Sequence, residues 1–506
     1  MLAKVKSCAV FGLDGFVVDV EVDISPGLPR FDVVGLPDTA VQEARARVRA
    51  AIRNSGYEFP LRRITANLAP ADVRKAGSTY DLPLAVALLQ SSGQIQPVSE
   101  DSMFIGQLSL NGDLLHTDGV LPMAALAKES DVSRIFVPSL DAQEAALVEG
   151  VEVYAVGNLG ALIRHLSGER LLKQVSWEGT ETDADSADGA FDISTIRGQE
   201  QSKRALEVAA AGSHNLLMSG PPGSGKTLLA RALPKILPSL THEEAIEVTK
   251  IYSIADSLSR DSPLITERPF RSPHHTISYA GLVGGGSRPR PGEISMSHRG
   301  VLFLDELPEF GHRILEAMRQ PLEDKRVVIS RAQGSVSYPS NFMLVGAMNP
   351  CPCGYYGDPL KTCSCTDTQV SRYGKRLSGP LLDRIDIFVD VPSVDYEKLT
   401  APPGADRSEN VRARTERARE IQRARFAGTP LLTNSEMGPN EVHRFCGLGQ
   451  QASGMMGSAM RQMNLSARVY HRILKLARTI ADLSNSDTIE VEHLAEALQY
   501  RPTQWI

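Results

Sequence analysis

Residues Gly220 to Thr227 read GPPGSGKT, directly behind an apolar run, His214 to Ser219, of the kind that forms a buried strand. Such a loop confines the chain to a strand, a phosphate-binding turn and a helix. Glycines at 220, 223 and 225 let successive backbone N–H groups turn inward around a phosphate, and the helix opening at Lys226 adds its positive dipole end. The nucleotide-contacting set then runs through Gly220, Pro221, Pro222, Gly223, Ser224, Gly225, Lys226, Thr227 and Leu228. Lys226 reaches the terminal phosphates, and the Thr227 hydroxyl ligates magnesium. Downstream, the apolar run Val301 to Leu304 ends in Asp305 and Glu306. Asp305 is placed to share the magnesium with Thr227, and Glu306 to orient and deprotonate an attacking water. A third apolar run, Phe342 to Met348, ends in Asn349, which either touches the γ-phosphate and its water or simply opens a turn before Pro350. The expected fold class is α/β, and the expected chemistry is hydrolysis of ATP with Mg²⁺.

The 506 residues suffice for about three domains of ordinary size. With 42% hydrophobic and 23% charged residues the composition is that of a globular protein. No stretch approaches the roughly 20 apolar residues of a membrane span, and Asp14 interrupts the start before a signal-like core is complete, so the cytoplasm is expected and a membrane partner is not. A net charge of −6 confines any nucleic-acid contact to local basic loops or the inner surface of a ring.

Four of the six cysteines cluster as Cys351, Cys353, Cys363 and Cys365 in NPCPCGYYGDPLKTCSCT. Two tight pairs joined by a turn with glycine and proline can converge four thiolates on a tetrahedral Zn²⁺, or stand as reduced cysteines in an ordered loop.

The acidic, small-residue stretch Trp177 to Ala190 marks a solvated linker. The expected division is a first domain at 1–173, a linker at 174–191, an ATPase core at 192–395 carrying the four-cysteine insertion, and a helical lid at 396–506. In the first domain, Phe16 to Val22, Ile64 to Leu68, Met103 to Leu110 and Ile135 to Pro138 read as strands. Thr39 to Asn54 and Leu82 to Leu89 read as helices.

The segments KAGSTYDLPLAVALL and GQLSLNGDLLHTDGVLPMAALA resemble the proteolytic domain of Lon proteases. That family uses a Ser and Lys dyad. Here Ser78 and Thr79 occupy the serine loop, but Gly119 is followed by Val120, Leu121, Pro122 and Met123, so the base is missing. A hydroxyl without an activating amine is a weak nucleophile, which makes the domain an α+β scaffold, with Ser78 and Thr79 expected as helix caps.

Residues 192–506 resemble AAA+ ATPases, in the branch holding the I subunit of magnesium chelatase and the MCM helicases. With its Lon-like front, the whole chain resembles the magnesium-chelatase-like family that includes competence ATPases. The resemblance implies a P-loop motor with a helical lid, assembled as a homo-hexameric ring. It implies that Ile196, Gly198 and Gln199 line the adenine pocket and that Asn349 is sensor 1. It further implies that Arg384, in SGPLLDRIDIFVD, is an arginine finger offered to the neighbouring subunit, worth roughly a thousandfold in rate. Arg384 otherwise reads as an ion-pair partner of Asp383 or Asp386. Ser466 caps a helix whose first turn holds Arg468, the match to sensor 2, while Arg472 and Arg478 are expected to face solvent.

Two loops are candidates for gripping a polymer. Asp324 to Pro339 reads as a hairpin with a four-residue turn around Arg331 to Gly334, and resembles the pre-sensor-1 hairpin of MCM helicases, with Lys325, Arg326 and Arg331 toward phosphates. Phe270 to Pro291 carries Arg271, His274, His275, Arg288 and Arg290 among glycines and prolines. The run Val411 to Phe426 alternates Arg with Glu and is expected to be a solvated helix. The family implies an ATP-driven helicase or branch-migration motor acting on single-stranded, forked or branched DNA without sequence readout, when incoming DNA recombines. Two other readings stay open: a chelatase motor serving partner subunits, and a Lon-like ATPase that remodels proteins.

Overall fold

The computed structural model describes residues 2–71, 75, 77–177, 179, 191–259, 262–286, 289–331, 334–394, 406–463 and 465–501. Most of the acidic linker, the 395/396 boundary and Arg288 lie outside these. Two units are defined by their internal contacts: Met1–Thr182 with Ala245–Ile265, and Asp183–Glu244 with Thr266–Ile506.

Among the described residues the first unit has ten strands: β1 (Leu2–Phe11), β2 (Asp14–Ser25), β3 (Arg30–Val34), β4 (Arg63–Ala69), β5 (Ser102–Phe104), β6 (Gln107–Leu108), β7 (Leu114–Leu115), β8 (Arg134–Pro138), β9 (Glu152–Val156) and β10 (Gln174–Val175). Eight of them form one mixed sheet in the order β10-β9-β8-β5-β1-β2-β4-β3. Period-two burial in β1, β2 and β4 gives this sheet its core face. The helix Thr39–Asn54 covers it with Val41, Ala44, Val48, Ala51 and Ile52, a spacing of three and four. Asp38 caps this helix by accepting from the Val41 N–H. The Met103–Leu110 run is two strands rather than one, because Gly106 turns the chain between β5 and β6 at φ 156°.

Ser78 and Thr79 do not cap the next helix, Asp81–Ser91, whose N-cap is Tyr80 without a side-chain bond. Ser78 instead donates to Gln107 Oε1 at 2.6 Å. Asp81, fully buried, is held by two guanidinium bonds from Arg47 at 2.7 and 3.0 Å. After Gly119 (φ 79°) the helix Val120–Glu129 begins with four buried apolar residues, Val120 to Met123.

The second unit adds β11 (Leu216–Ser219), β12 (Phe270–Arg271), β13 (Gly284–Gly285), β14 (Arg290–Pro291), β15 (Val301–Leu304), β16 (Arg326–Arg331), β17 (Gly334–Pro339), β18 (Met343–Met348) and β19 (Ile387–Asp390). An α/β sheet runs β12-β15-β18-β11-β19 with every pairing parallel. Its three central strands are buried along their whole length, which is why they read as unbroken apolar runs. The helical region holds Ser408–Arg425, Pro439–Phe445, Gln450–Gln462, Ala467–Leu483 and Val491–Gln499. Its apolar faces join the sheet in one core.

The arginine-rich helix departs from a solvated face. Arg419 and Gln422 are buried, and both donate to the last carbonyls of the helix Glu200–Gly212, at Ala210 and Ala211. The alternating charge disguised a helix that caps another. No described helix is long and apolar enough to cross a membrane.

Candidate nucleotide site and its surroundings

The parallel register brings the three strand ends together. β18 lies between β11 and β15, so Asn349 emerges between the phosphate loop and the acidic pair. Lys226 opens its helix and donates to the Gly220 carbonyl at 2.7 Å, the Pro221 carbonyl at 2.9 Å and Asn349 Oδ1 at 3.2 Å. Burial pushes the Lys226 ammonium below its usual pKa, with the Asp305 charge opposing the shift. Thr227 Oγ1 donates to Asp305 Oδ2 at 2.9 Å, which places the two magnesium candidates on one spot.

Gly223 and Gly225 have φ of 78° and 92°, the left-handed region a phosphate-cradling turn needs. Gly220 is fixed by space instead, since a Cβ there would sit 2.1 Å from the Val391 carbonyl oxygen. Gln199 (φ 61°) donates to the carbonyls of Ser224 at 3.3 Å and Pro392 at 2.6 Å, tying its segment to the loop. Ile196 is buried in the core beside it, Gly198 has φ 61°, and Leu228 is half exposed. The sequence marked His275 only as part of a basic loop. In the structure its Nδ1 lies 3.5 Å from Glu306 Oε2, and the His274 ring lies tilted against it at 4.1 Å between ring centroids. No sequence spacing joins a carboxylate to these histidines; the β12 and β15 pairing does.

Arg384 pairs with neither Asp383 nor Asp386. Its guanidinium donates to Glu323 and the Pro380 carbonyl, while Asp386 faces His214 at 3.5 Å. Arg468 stands exposed in the first turn of its helix, capped by Ser466, 3.8 Å from Asp383. Arg472 and Arg478 do not face solvent. Arg472 bonds the Ile385 carbonyl and Asp383, and Arg478 is buried on Asp482 and the carbonyls of Ser486 and Asp487. Helical spacing alone does not reveal that a helix inside a bundle has two buried faces.

The four clustered cysteines converge, all six cysteines being unbridged. Sγ separations of 3.3 Å (351 to 353), 3.5 Å (353 to 363) and 3.7 Å (351 to 363) compare with about 3.8 Å between thiolates on tetrahedral zinc. Backbone N–H groups of Tyr355 and Ser364 lower the Cys353 thiol to about 5. The insertion also leans on the phosphate loop: Gly354, at φ 87°, leaves so little room that a Cβ would lie 2.5 Å from Pro222 Cδ.

The two candidate gripping loops meet. β16 and β17 pair from Arg326↔Pro339 to Arg331↔Gly334, and the expected turn falls partly on Ala332 and Gln333, which lie outside the described residues. Tyr338 donates to the Pro289 carbonyl at 2.7 Å, and Gly284 and Gly285 leave Cβ room of only 2.7 Å to Ile329 and 3.0 Å to Arg331. Arg326 and Arg331 are exposed. Lys325 is less exposed than these two: it ends the helix Arg319–Asp324, and burial lowers its pKa while Glu436 and Asp386 oppose that. Arg271 is held by Glu293 at 2.6 and 2.7 Å.

Residues 192–399 match the family described as magnesium chelatase, subunit ChlI; residues 20–141 match subunit ChlI of Mg-chelatase, and residues 405–501 its ChlI C-terminal family. The chain is 42% identical over 504 residues to competence protein ComM of Haemophilus influenzae, covering 99% of this chain and 97% of that one. It is 43% identical to protein YifB of Escherichia coli (strain K12), again over 99% and 97%. The chain belongs to the magnesium-chelatase-like ComM/YifB family. The 38 kDa subunit of magnesium chelatase from Cereibacter sphaeroides matches only 32% of the chain, at 27% identity over 53% of that subunit. As a ComM/YifB family member with an AAA+ fold, the chain is an ATPase.

Proposed function

We propose that this ATPase works as a hexameric ring that moves along DNA and drives branch migration when incoming DNA recombines. The convergence of Lys226, Thr227, Asp305, Glu306 and Asn349 at three adjacent strand ends carries the ATPase part. Mg²⁺, held by Thr227 and Asp305, would neutralise charge developing on the transferred phosphate. Glu306 takes the proton of the attacking water, and Asn349 holds that water in line. Lys226 leaves its carbonyl partners for the terminal phosphates. Arg468 reaches the γ-phosphate from the lid, and Arg384 exchanges Glu323 for the nucleotide of a neighbouring copy. The four cysteines would hold Zn²⁺, which would supply a structural tie within the insertion that leans on Pro222 through Gly354.

The DNA part rests on the joined loops, which raise Arg326 and Arg331 on a hairpin braced by β13 and β14, and on the competence role that the ComM relative is named for. Exposed arginines on a braced hairpin suit phosphate contacts without base readout. ATP hydrolysis with and without single-stranded and forked DNA tests the reading. Strong stimulation that Lys226→Ala abolishes and Arg331→Ala weakens is expected. Turnover indifferent to every DNA overturns it, and stimulation by an unfolded protein or a chelatase partner points to the other motors.

A further inference from the structure

The first unit holds a second group of metal-ligating side chains. His116 and Asp118, from the loop between β7 and the helix Val120–Glu129, meet Asp256, which follows the helix His242–Ile254. One ligand atom from each lies within 4.8 Å of the others. His116 Nε2 is 3.5 Å from Asp118 Oδ1 and 3.4 Å from Asp256 Oδ1.

We propose that His116, Asp118 and Asp256 form a binding site for a divalent transition-metal ion of the Zn²⁺ type. Bonds of about 2.0–2.1 Å in a tetrahedral site separate neighbouring donors by about 3.3 Å, which the two histidine separations match within a few tenths of an ångström. One imidazole with two carboxylates, and a remaining position for water, is a donor set that Zn²⁺ accepts and that Ca²⁺ or Mg²⁺ fills poorly.

The histidine is also prepared for the role. Its other nitrogen, Nδ1, lies 2.5 Å from Asp141 Oδ1, and Asp141 is 2% exposed and accepts a second bond from the Thr117 N–H at 2.9 Å. A carboxylate behind a ligating imidazole fixes the tautomer that presents a bare Nε2. The ligand side chains remain 35–56% exposed, which leaves an entry path. The three carboxylates around His116 leave a surplus of negative charge even with the imidazole protonated, and a dication balances it. Bound there, the ion clips Ala245–Ile265 to a loop far from it in sequence.

Equilibrium dialysis of the full chain against Zn²⁺ at neutral pH tests the site. Asp118→Asn and Asp256→Asn alter exposed side chains and are expected to leave the fold intact, which circular dichroism checks. Each is expected to hold one equivalent less than wild type, whatever the cysteines hold. Asp141→Asn is expected to keep the stoichiometry and bind about 10- to 100-fold more weakly. If both ligand variants keep the wild-type stoichiometry at saturating Zn²⁺, the carboxylates only pair with an imidazolium and the proposal is overturned.

Discussion

At the scale of single residues, the least expected contact is His275 against Glu306. An imidazole 3.5 Å from a carboxylate can hold it in one rotamer or release it, while the reacting atoms remain with Glu306. His275→Ala is therefore expected to lower kcat for ATP about tenfold with KM unchanged, against a loss of roughly a hundredfold or more for Glu306→Gln. Steady-state kinetics separates the two parameters. Glu244 gives a second prediction. Burial opposes its charge, but Arg268 at 2.9 Å and the Thr241 N–H outweigh this and hold its pKa below 4.5. A depressed carboxylate contributes stability above its unfolded pKa that is lost as pH falls through the folded one. The gap in urea midpoint between wild type and Glu244→Gln should thus be widest above about pH 4.5 and close below it.

At the scale of elements, the phosphate loop, the acidic strand and the Asn349 strand were legible because a parallel sheet buried on both faces writes itself as apolar runs, and glycines betray the turn between. The helices at 39–54 and 467–483 were legible through their caps and spacing. Burial of arginine was not. Arg419, Arg472 and Arg478 look like surface charge in any window of sequence, and only their partners, the Ala210 and Ile385 carbonyls and the buried Asp482, reveal otherwise. The meeting of the two gripping loops was hidden for the same reason: glycine pairs signal close approach without saying to what. Gly354 is the sharpest case. Gly354→Ala is expected to cost about 1–3 kcal/mol from its positive φ alone and to push Pro222 off its place, so the melting temperature should fall and KM for ATP rise together. A lowered melting temperature with KM unmoved would sever the cysteine insertion from the nucleotide loop.

At the scale of the whole molecule, the proposed arginine finger in trans would have a consequence that no single chain displays. Lys226→Ala and Arg384→Ala should each be inactive alone, yet mixing them should restore hydrolysis, because some interfaces then join an intact Lys226 to an intact Arg384. No recovery on mixing would assign Arg384 to its cis partner Glu323. A domain boundary was expected in the acidic stretch, but nothing in the sequence marks Ala245–Ile265 as part of the first unit, since Ala245 falls inside the helix His242–Ile254. That membership makes the front unit discontinuous. Strands β1 to β10 are not a module that can be cut away at the linker, because the same unit includes Ala245–Ile265, with the buried Ala245, Val248 and Ile251, which lie beyond that linker in the chain. Inheritance of the two units is therefore joint: an insertion, swap or deletion at either end must respect a seam that crosses the sequence three times.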